Sequence, residues 1–279
     1  MGRRIGIVGY GSLGQFLAQR VLESPALDLA FVWNRTALAV VDDPAVSKYH
    51  LPDLSEAASR RCDLIVEVAH PKVLKEHGVA LLQAADLLVG SPTAFADAEL
   101  EAALRKQAAE GSHGLYVGAG AFWGAGDITK MDARGTLKAL KVTMAKHPSS
   151  LKVGAELQAK VDEAKESETA VTVYSGAVRA LCPLAPNNVN TMACAAISAP
   201  SLGFDGVQCA LIADRSLEAH VITIDVTGPT NKDTGEEFSV KTVRSNPAAV
   251  GAVTGQATYV SFHSSLLRAH GQGNGVHLC

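Results

Sequence analysis

Gly9, Gly11 and Gly14 stand in the spacing Gly-x-Gly-x-x-Gly, directly after the apolar run Arg4-Ile5-Gly6-Ile7-Val8 and before a helix-forming stretch from Gln15 to Leu22. Each glycine has its own task in such a turn. Gly9 bends the chain tightly, Gly11 admits the backbone close to an anion, and Gly14 lets helix and strand approach each other. Ser12, Leu13 and Gly14 complete the turn, and the N-terminus of the helix that follows, with its free N–H groups and positive dipole end, suits a pyrophosphate. The chemistry implied is dinucleotide binding. A second apolar run, Leu27 to Trp33, ends in Asn34-Arg35-Thr36, and Asn34 lies 20 residues beyond Gly14. At that distance an Asp or Glu would accept hydrogen bonds from the ribose hydroxyls of NAD. Neither acid is there. Asn34 can bond a ribose without charge repulsion and the forked Arg35 guanidinium can pair with a 2′-phosphate, so the expected cofactor is NADP or NAD, with NADP favoured. The plainer reading of Arg35 is a solvated loop charge.

Among the titratable residues, His220 begins an apolar, strand-like run. Imidazole changes charge near neutral pH and can take up and return a proton, although a strand histidine is as readily held by a backbone carbonyl. His70 ends another apolar run, in Ala69-His70-Pro71, where it either touches a ligand or serves as a loop residue. Asn190 precedes the run Thr191 to Ile197 and reads as a helix N-cap worth about 1 kcal/mol. No His-x-x-x-His pair or carboxylate cluster suggests a metal. The five cysteines are odd in number and lack zinc spacing, so reduced, mostly buried thiols are expected.

These residues need a scaffold. Apolar runs at Cys62 to Ala69, Asp86 to Ser91 and Gly114 to Gly118 alternate with helix-forming stretches at Pro71 to Ala85 and Asp97 to Glu110, which implies βαβ units and a parallel sheet. Ligands of such sheets lie beyond the carboxyl ends of the strands, which places Ala69-His70-Pro71 and Ser91-Pro92-Thr93 on the ligand side. From Leu137 to Met144 the period changes to two, as in a half-exposed strand, and further strands are expected at Thr169 to Tyr174, Gly206 to Ala213, His220 to Thr227 and Glu237 to Arg244. The expected fold is α/β, a Rossmann doubly wound parallel sheet over residues 1–120, followed by an α+β domain over 121–245 with an open, mainly antiparallel or mixed sheet. Residues 246–270 are expected to form a C-terminal helix packing back on the first domain, and 271–279 a flexible tail. The open sheet suggests a homodimer or larger homo-oligomer. At 279 residues and 47% apolar content the chain has ample core material, while a net charge of −3 argues against nucleic acid and anionic membranes as partners. No apolar run reaches spanning length, so a cytoplasmic protein is expected.

Together the motifs resemble the L-aspartate dehydrogenase family from about residue 3 to residue 270. They are Gly9 to Gly14, Asp63-Leu64-Ile65-Val66-Glu67-Val68-Ala69, Ser91 to Asp97, Gly120-Ala121-Phe122 with Asp127, Lys146-His147-Pro148, Pro186-Asn187-Asn188-Val189-Asn190, Ala213-Asp214 followed by His220, and Ser245-Asn246-Pro247. The resemblance implies that Ala121 and Asn190 contact the nicotinamide end, that His220 is catalytic, and that Lys146 pairs with a substrate carboxylate. It implies an NAD(P)-dependent oxidoreductase converting L-aspartate through iminosuccinate to oxaloacetate and ammonia. The alternatives are a reductase of another small dicarboxylic imine or oxo acid, and a non-catalytic NADP-binding sensor. The chain departs from the family pattern at Phe122, at the inserted Trp123 and at Arg215.

Overall fold

The computed structural model describes residues 2–253 and 256–279. Its strands, in chain order, are β1 (Arg3–Val8), β2 (Leu27–Trp33), β3 (Leu64–Glu67), β4 (Asp86–Val89), β5 (Leu115–Val117), β6 (Ala139–Lys146), β7 (Val171–Ala177), β8 (Gln208–Ala213), β9 (Ala219–Thr230), β10 (Glu237–Pro247) and β11 (Val276–Leu278). They make two sheets in two compact units, one of residues 1–118 with 259–279 and the other of residues 119–258.

The first unit carries an all-parallel sheet in the order β11-β5-β4-β3-β1-β2. Its central strands are buried on both faces, which is why Ile5-Gly6-Ile7-Val8, Leu64-Ile65-Val66 and Leu87-Leu88-Val89 read as continuous apolar runs. Helices Ser12–Glu23, Pro71–Ala84 and Ala98–Glu110 return the chain between strands. Asp97 caps the last of these, accepting from the N–H groups of Glu99 and Leu100.

The second unit carries a mixed five-stranded sheet in the order β10-β9-β6-β8-β7. The β6–β8 pair is parallel and the other pairs are antiparallel. Exposure alternates along β6 and β9, as the period of two in the sequence requires. Helices Ala125–Ala133, Ala155–Glu166 and Asn190–Ser198 belong to this unit.

Two expectations for the C-terminal region need correction. Residues 246–270 are not one helix. Pro247 ends β10, and the helix is Gln256–Arg268, with residues 254 and 255 outside the described residues. Its Phe262 and Leu266 are buried in the core of the first unit with Ile5, Ile7 and Val66. Nor is 271–279 a loose tail. Val276–Leu278 pairs in parallel with Leu115–Val117 as the edge strand of the first sheet, and Gly271, Gly273 and Gly275, all at positive φ, form the turn that brings it there. A glycine-rich composition is shared by flexible tails and tight turns, and here the unpaired edge of β5 selects the turn.

Candidate active site

The glycine turn is built as its three positions demand. Gly9 has φ +108°, and a Cβ there would lie 2.7 Å from the Ala69 nitrogen. A Cβ on Gly14 would run into the carbonyl oxygen of Gly9, whereas one on Gly11 would meet nothing within 4 Å. The space above Gly11 is therefore open while the turn below it is closed. Gly11 precedes the helix and no side chain caps it, so the N–H groups of Ser12, Leu13 and Gly14 receive no side-chain cap and are available to an anion. These features fit a dinucleotide pyrophosphate.

Beside this turn, Asn34 locks the loop that follows β2. Its Oδ1 accepts from the Tyr10 N–H at 3.0 Å and its Nδ2 donates to the Thr36 carbonyl at 3.1 Å. A primary amide has a second N–H and further lone pairs, so Asn34 can hold the turn and still bond a ribose. Arg35 is exposed and makes no ion pair among the described residues. His70 turns out to be a helix cap, since its Nδ1 accepts from the Lys72 N–H at 3.2 Å ahead of Pro71. That bond makes Nε2 the protonated nitrogen of the neutral ring. Burial, then Lys72 and Arg35, hold His70 below its ordinary value. Ala69 is exposed, and its N–H donates to the carboxylate of Glu67.

In the second unit, the strand register gathers the chemically active side chains. Ala145 pairs with Val221 between β6 and β9, so Lys146 and His220 are the next residues on the two strands, and Asn246 of β10 pairs with His220 from the other side. His220 is 6% exposed and Lys146 3%. His220 Nε2 bonds the Ala252 carbonyl at 2.9 Å. A carbonyl only accepts, so Nε2 carries the hydrogen and the lone pair of the neutral ring is on Nδ1. The bond to the carbonyl and proton uptake at Nδ1 are therefore compatible in one tautomer. Burial, then the charge of Lys146, lowers the His220 pKa, against a smaller rise from the Ala252 bond. Burial also brings the Lys146 ammonium down to about 8. Its nitrogen donates to the carbonyls of Asn188 and Val253, both at 3.4 Å, and no carboxylate pairs with it among the described residues.

Asn190 departs from the N-cap expectation. Val189 holds the cap position, Asn190 is the first helical residue, and its Oδ1 is buried without a hydrogen-bond partner. A buried acceptor without a partner is costly, and a donor such as the N–H₂ of a carboxamide could complete it. The Gly120-Ala121 loop is tied by Arg244, whose Nη1 donates to the Gly120 carbonyl at 3.1 Å and whose Nε donates to Asn246 Oδ1 at 2.9 Å. Phe122 is buried, and the inserted Trp123 is 66% exposed. Among the described residues no group of three or more His, Cys, Asp or Glu side chains is arranged to hold a metal ion, and no helix is long and apolar enough to cross a membrane.

Comparison with known proteins bears on this arrangement directly. Residues 127–265 match the family model for the C-terminal domain of aspartate dehydrogenase, and residues 8–118 match that for the NAD-binding domain of homoserine dehydrogenase. An aspartate dehydrogenase domain-containing protein of Xenopus tropicalis is 51% identical, covering 99% of this chain and 98% of its own. The chain belongs to the aspartate dehydrogenase family. An L-aspartate dehydrogenase of Nitrosopumilus maritimus is 23% identical over 81% of this chain and 84% of its own. The crystal structure of aspartate dehydrogenase from Thermotoga maritima aligns with a TM-score of 0.70 over 98% of both chains at 17% identity, which shows the shared fold. Within this dehydrogenase family, a nicotinamide cofactor accounts for the open glycine turn.

Two residues with work to do here are given no role by the sequence motifs. Arg244, one residue before Ser245-Asn246-Pro247, anchors the Gly120 loop. Glu67 is fully buried at the end of β3. Its signal was the lone acid inside the apolar run Leu64 to Val68, because a charge at a buried position implies dedicated partners.

Proposed function

We propose that the protein is an NAD(P)-dependent L-aspartate dehydrogenase that interconverts L-aspartate, through iminosuccinate, with oxaloacetate and ammonia. The observation that supports this reading best is the buried pair of Lys146, an ammonium with no carboxylate partner among the described residues, and His220, an imidazole kept neutral beside it. Such an ammonium is completed by a substrate carboxylate, and such an imidazole is a base.

Gly9, Gly11, Ser12, Leu13 and Gly14 would hold the pyrophosphate, Asn34 and Arg35 the ribose with its 2′-phosphate, and Ala69, His70, Ala121 and Asn190 the nicotinamide end. NADP is the preferred form on this reading. The bound nicotinamide supplies the hydride acceptor or donor. In the oxidative direction the remaining tasks fall to the chain. Lys146 fixes a carboxylate of the substrate, and Nδ1 of His220 takes the proton that the amino group gives up as Cα loses its hydride. His220 passes that proton to solvent, then accepts the proton of the water that adds to the imine carbon and returns it to the departing nitrogen, so that ammonia leaves as the carbonyl forms. A cytoplasmic enzyme of amino-acid metabolism is the setting this chemistry implies. The exposed Phe238, Val240 and Val243 on β10 support a homodimer or larger homo-oligomer in which a second copy covers that strand, which sedimentation would read as a mass of two or more chains.

Reduced-nicotinamide absorbance, followed with purified protein, ammonium and oxaloacetate against a panel of other oxo acids, tests the proposal. Oxidation of NADPH or NADH specific to oxaloacetate with ammonium supports it. Preference for another oxo acid reassigns the substrate, and tight NADPH binding without turnover on any oxo acid marks a sensor.

A further inference from the structure

Glu67 is completely buried, and the chemistry above gives its carboxyl no task. Among the described residues, every hydrogen-bond partner of its carboxyl is a donor. Oε1 accepts from the N–H of Ala69 at 2.8 Å, the N–H of His70 at 3.0 Å and Ser91 Oγ at 3.0 Å, and Oε2 accepts from the Ser91 N–H at 3.1 Å. The two segments joined in this way leave the carboxyl ends of neighbouring strands β3 and β4, the side of a doubly wound sheet where ligands bind. An ionised carboxylate has about four lone-pair sites and no hydrogen to place, so it matches an all-donor pocket that neither an amide nor a carboxylic acid matches. A proton on Glu67 would bring an O–H among three N–H donors, with only Ser91 Oγ able to turn and accept it.

We propose that ionised Glu67 is a positioning residue that sets the Ala69-His70 and Ser91-Pro92-Thr93 loops for the nicotinamide end of the cofactor, leaving the adenosine half untouched. The proposal rests on the nicotinamide-dependent reading given above. Burial pushes the carboxyl up to about 7 against the pull of its hydrogen bonds, so the loss of this arrangement falls near neutrality. The elements beside it add little charge: β1 and β4 place Val8 and Val89 against it, and the titratable neighbour is His70, with Lys72 and Arg35 around that ring.

The test compares full-length wild type, Glu67→Gln and Ser91→Ala in three measurements. These are calorimetric affinity for ADP-ribose 2′-phosphate and for NADPH, kcat and KM across the neutral pH range, and amide hydrogen exchange at Ala69, His70 and Ser91. In Glu67→Gln we expect ADP-ribose 2′-phosphate affinity within ~2-fold of wild type, kcat lower by at least ~10-fold, and exchange at the three amides faster by ~10-fold, as for loss of a residue that orients others. The acid limb of kcat near neutrality should disappear with the titrating group. Unchanged kcat and pH profile overturn the proposal, as does an equal loss of affinity for both ligands, which marks general structural support. If Glu67→Gln does not fold, Ser91→Ala decides, because it removes one donor and keeps the charge. An acid limb displaced to higher pH supports the proposal and an unmoved limb overturns it. If wild type turns over no oxo acid, the enzyme reading fails by itself. NADPH affinity that falls in Glu67→Gln while that of ADP-ribose 2′-phosphate holds still supports the positioning role, and parallel changes overturn it.

Discussion

Lys146 and His220 influence one another through charge as well as through their adjoining positions on β6 and β9. Burial disfavours the charged form of each, and the Lys146 ammonium further disfavours a second positive charge on the ring, so at neutral pH the arrangement is a charged lysine beside a neutral histidine. Amino-acid oxidation needs both of those forms. Besides the Glu67 limb near neutrality, we therefore expect kcat/KM for oxidation to carry an acid limb below the ordinary imidazole value of 6.5, as His220 loses its proton, and to fall through a group near about 8, as Lys146 loses its own. Lys146→Met should abolish the alkaline limb and raise KM for the dicarboxylate by ~10- to 100-fold, since it removes a charge-assisted contact from a buried site. A limb that survives the substitution assigns it elsewhere. His220→Asn should lower kcat by ~10²- to 10⁴-fold, the range for loss of a general base, while NADPH affinity stays near wild type. Full turnover in that variant would remove His220 from the reaction.

The glycine turn shows how one element separates folding from binding. Gly14→Ala would drive a methyl group into the Gly9 carbonyl, so the turn must open, and we expect a lower melting temperature together with lost cofactor affinity. Gly11→Ala adds the same methyl group where nothing lies within 4 Å. Its melting temperature without cofactor should stay within roughly 2 °C of wild type while NADPH binding weakens by ~10-fold or more, because on the proposed reading the methyl group stands where the pyrophosphate approaches. Equal melting losses in the two variants would contradict this division. The turn and the parallel strands were legible in the sequence for a physical reason: strands covered on both faces must be apolar throughout, as Leu64-Ile65-Val66 is, and few other motifs need glycines at these spacings. The second sheet was legible through the alternation of β6 and β9. Helices Ala125–Ala133 and Ala155–Glu166 were not, because the first is short and the second, Ala-Glu-Leu-Gln-Ala-Lys-Val-Asp-Glu-Ala-Lys-Glu, buries only Leu157, Val161 and Ala164. At the candidate site, His220 was visible as a residue type and its tautomer was not. The tautomer depends on Ala252, and the pairing of Asn246 with His220 depends on register, both set by contacts between elements. Asn190 was read as a cap because polar residues before helices usually are caps, and only the placement of Val189 exposes its unsatisfied acceptor.

At the scale of the molecule, the chain leaves its first unit after Gly118 and re-enters it near Tyr259, so that unit is built from two segments far apart in sequence. The returning segment does two jobs. Phe262, Leu266 and Ala269 fill the core against Ile5, Ile7 and Leu17, and the carbonyls of Leu266 and Ala269 accept from the Arg3 guanidinium. Beyond them, β11 covers an edge that β5 would otherwise leave open: the Leu115 N–H donates to the Gly275 carbonyl at 3.0 Å and the Cys279 N–H to the Val117 carbonyl at 3.0 Å, while Ser265 Oγ bonds the Cys279 carbonyl at 2.8 Å. These contacts mean that the glycine-rich ending is a staple of the dinucleotide-binding unit, although it lies far in sequence from the Gly9 turn. Removal of residues 271–279 would uncover the β5 backbone and the packing of Cys279 against the core, at roughly 1 kcal/mol per lost hydrogen bond plus the apolar area. We expect the truncated protein to melt roughly 5–10 °C lower and to associate through its bare strand edge, as scattering would detect. A flexible tail would be removed with no change in melting temperature or mass, so the same two measurements decide between the readings. Restoring the tail with Gly273 and Gly275 changed to valine should recover little, because both positions have positive φ and the turn into β11 depends on them.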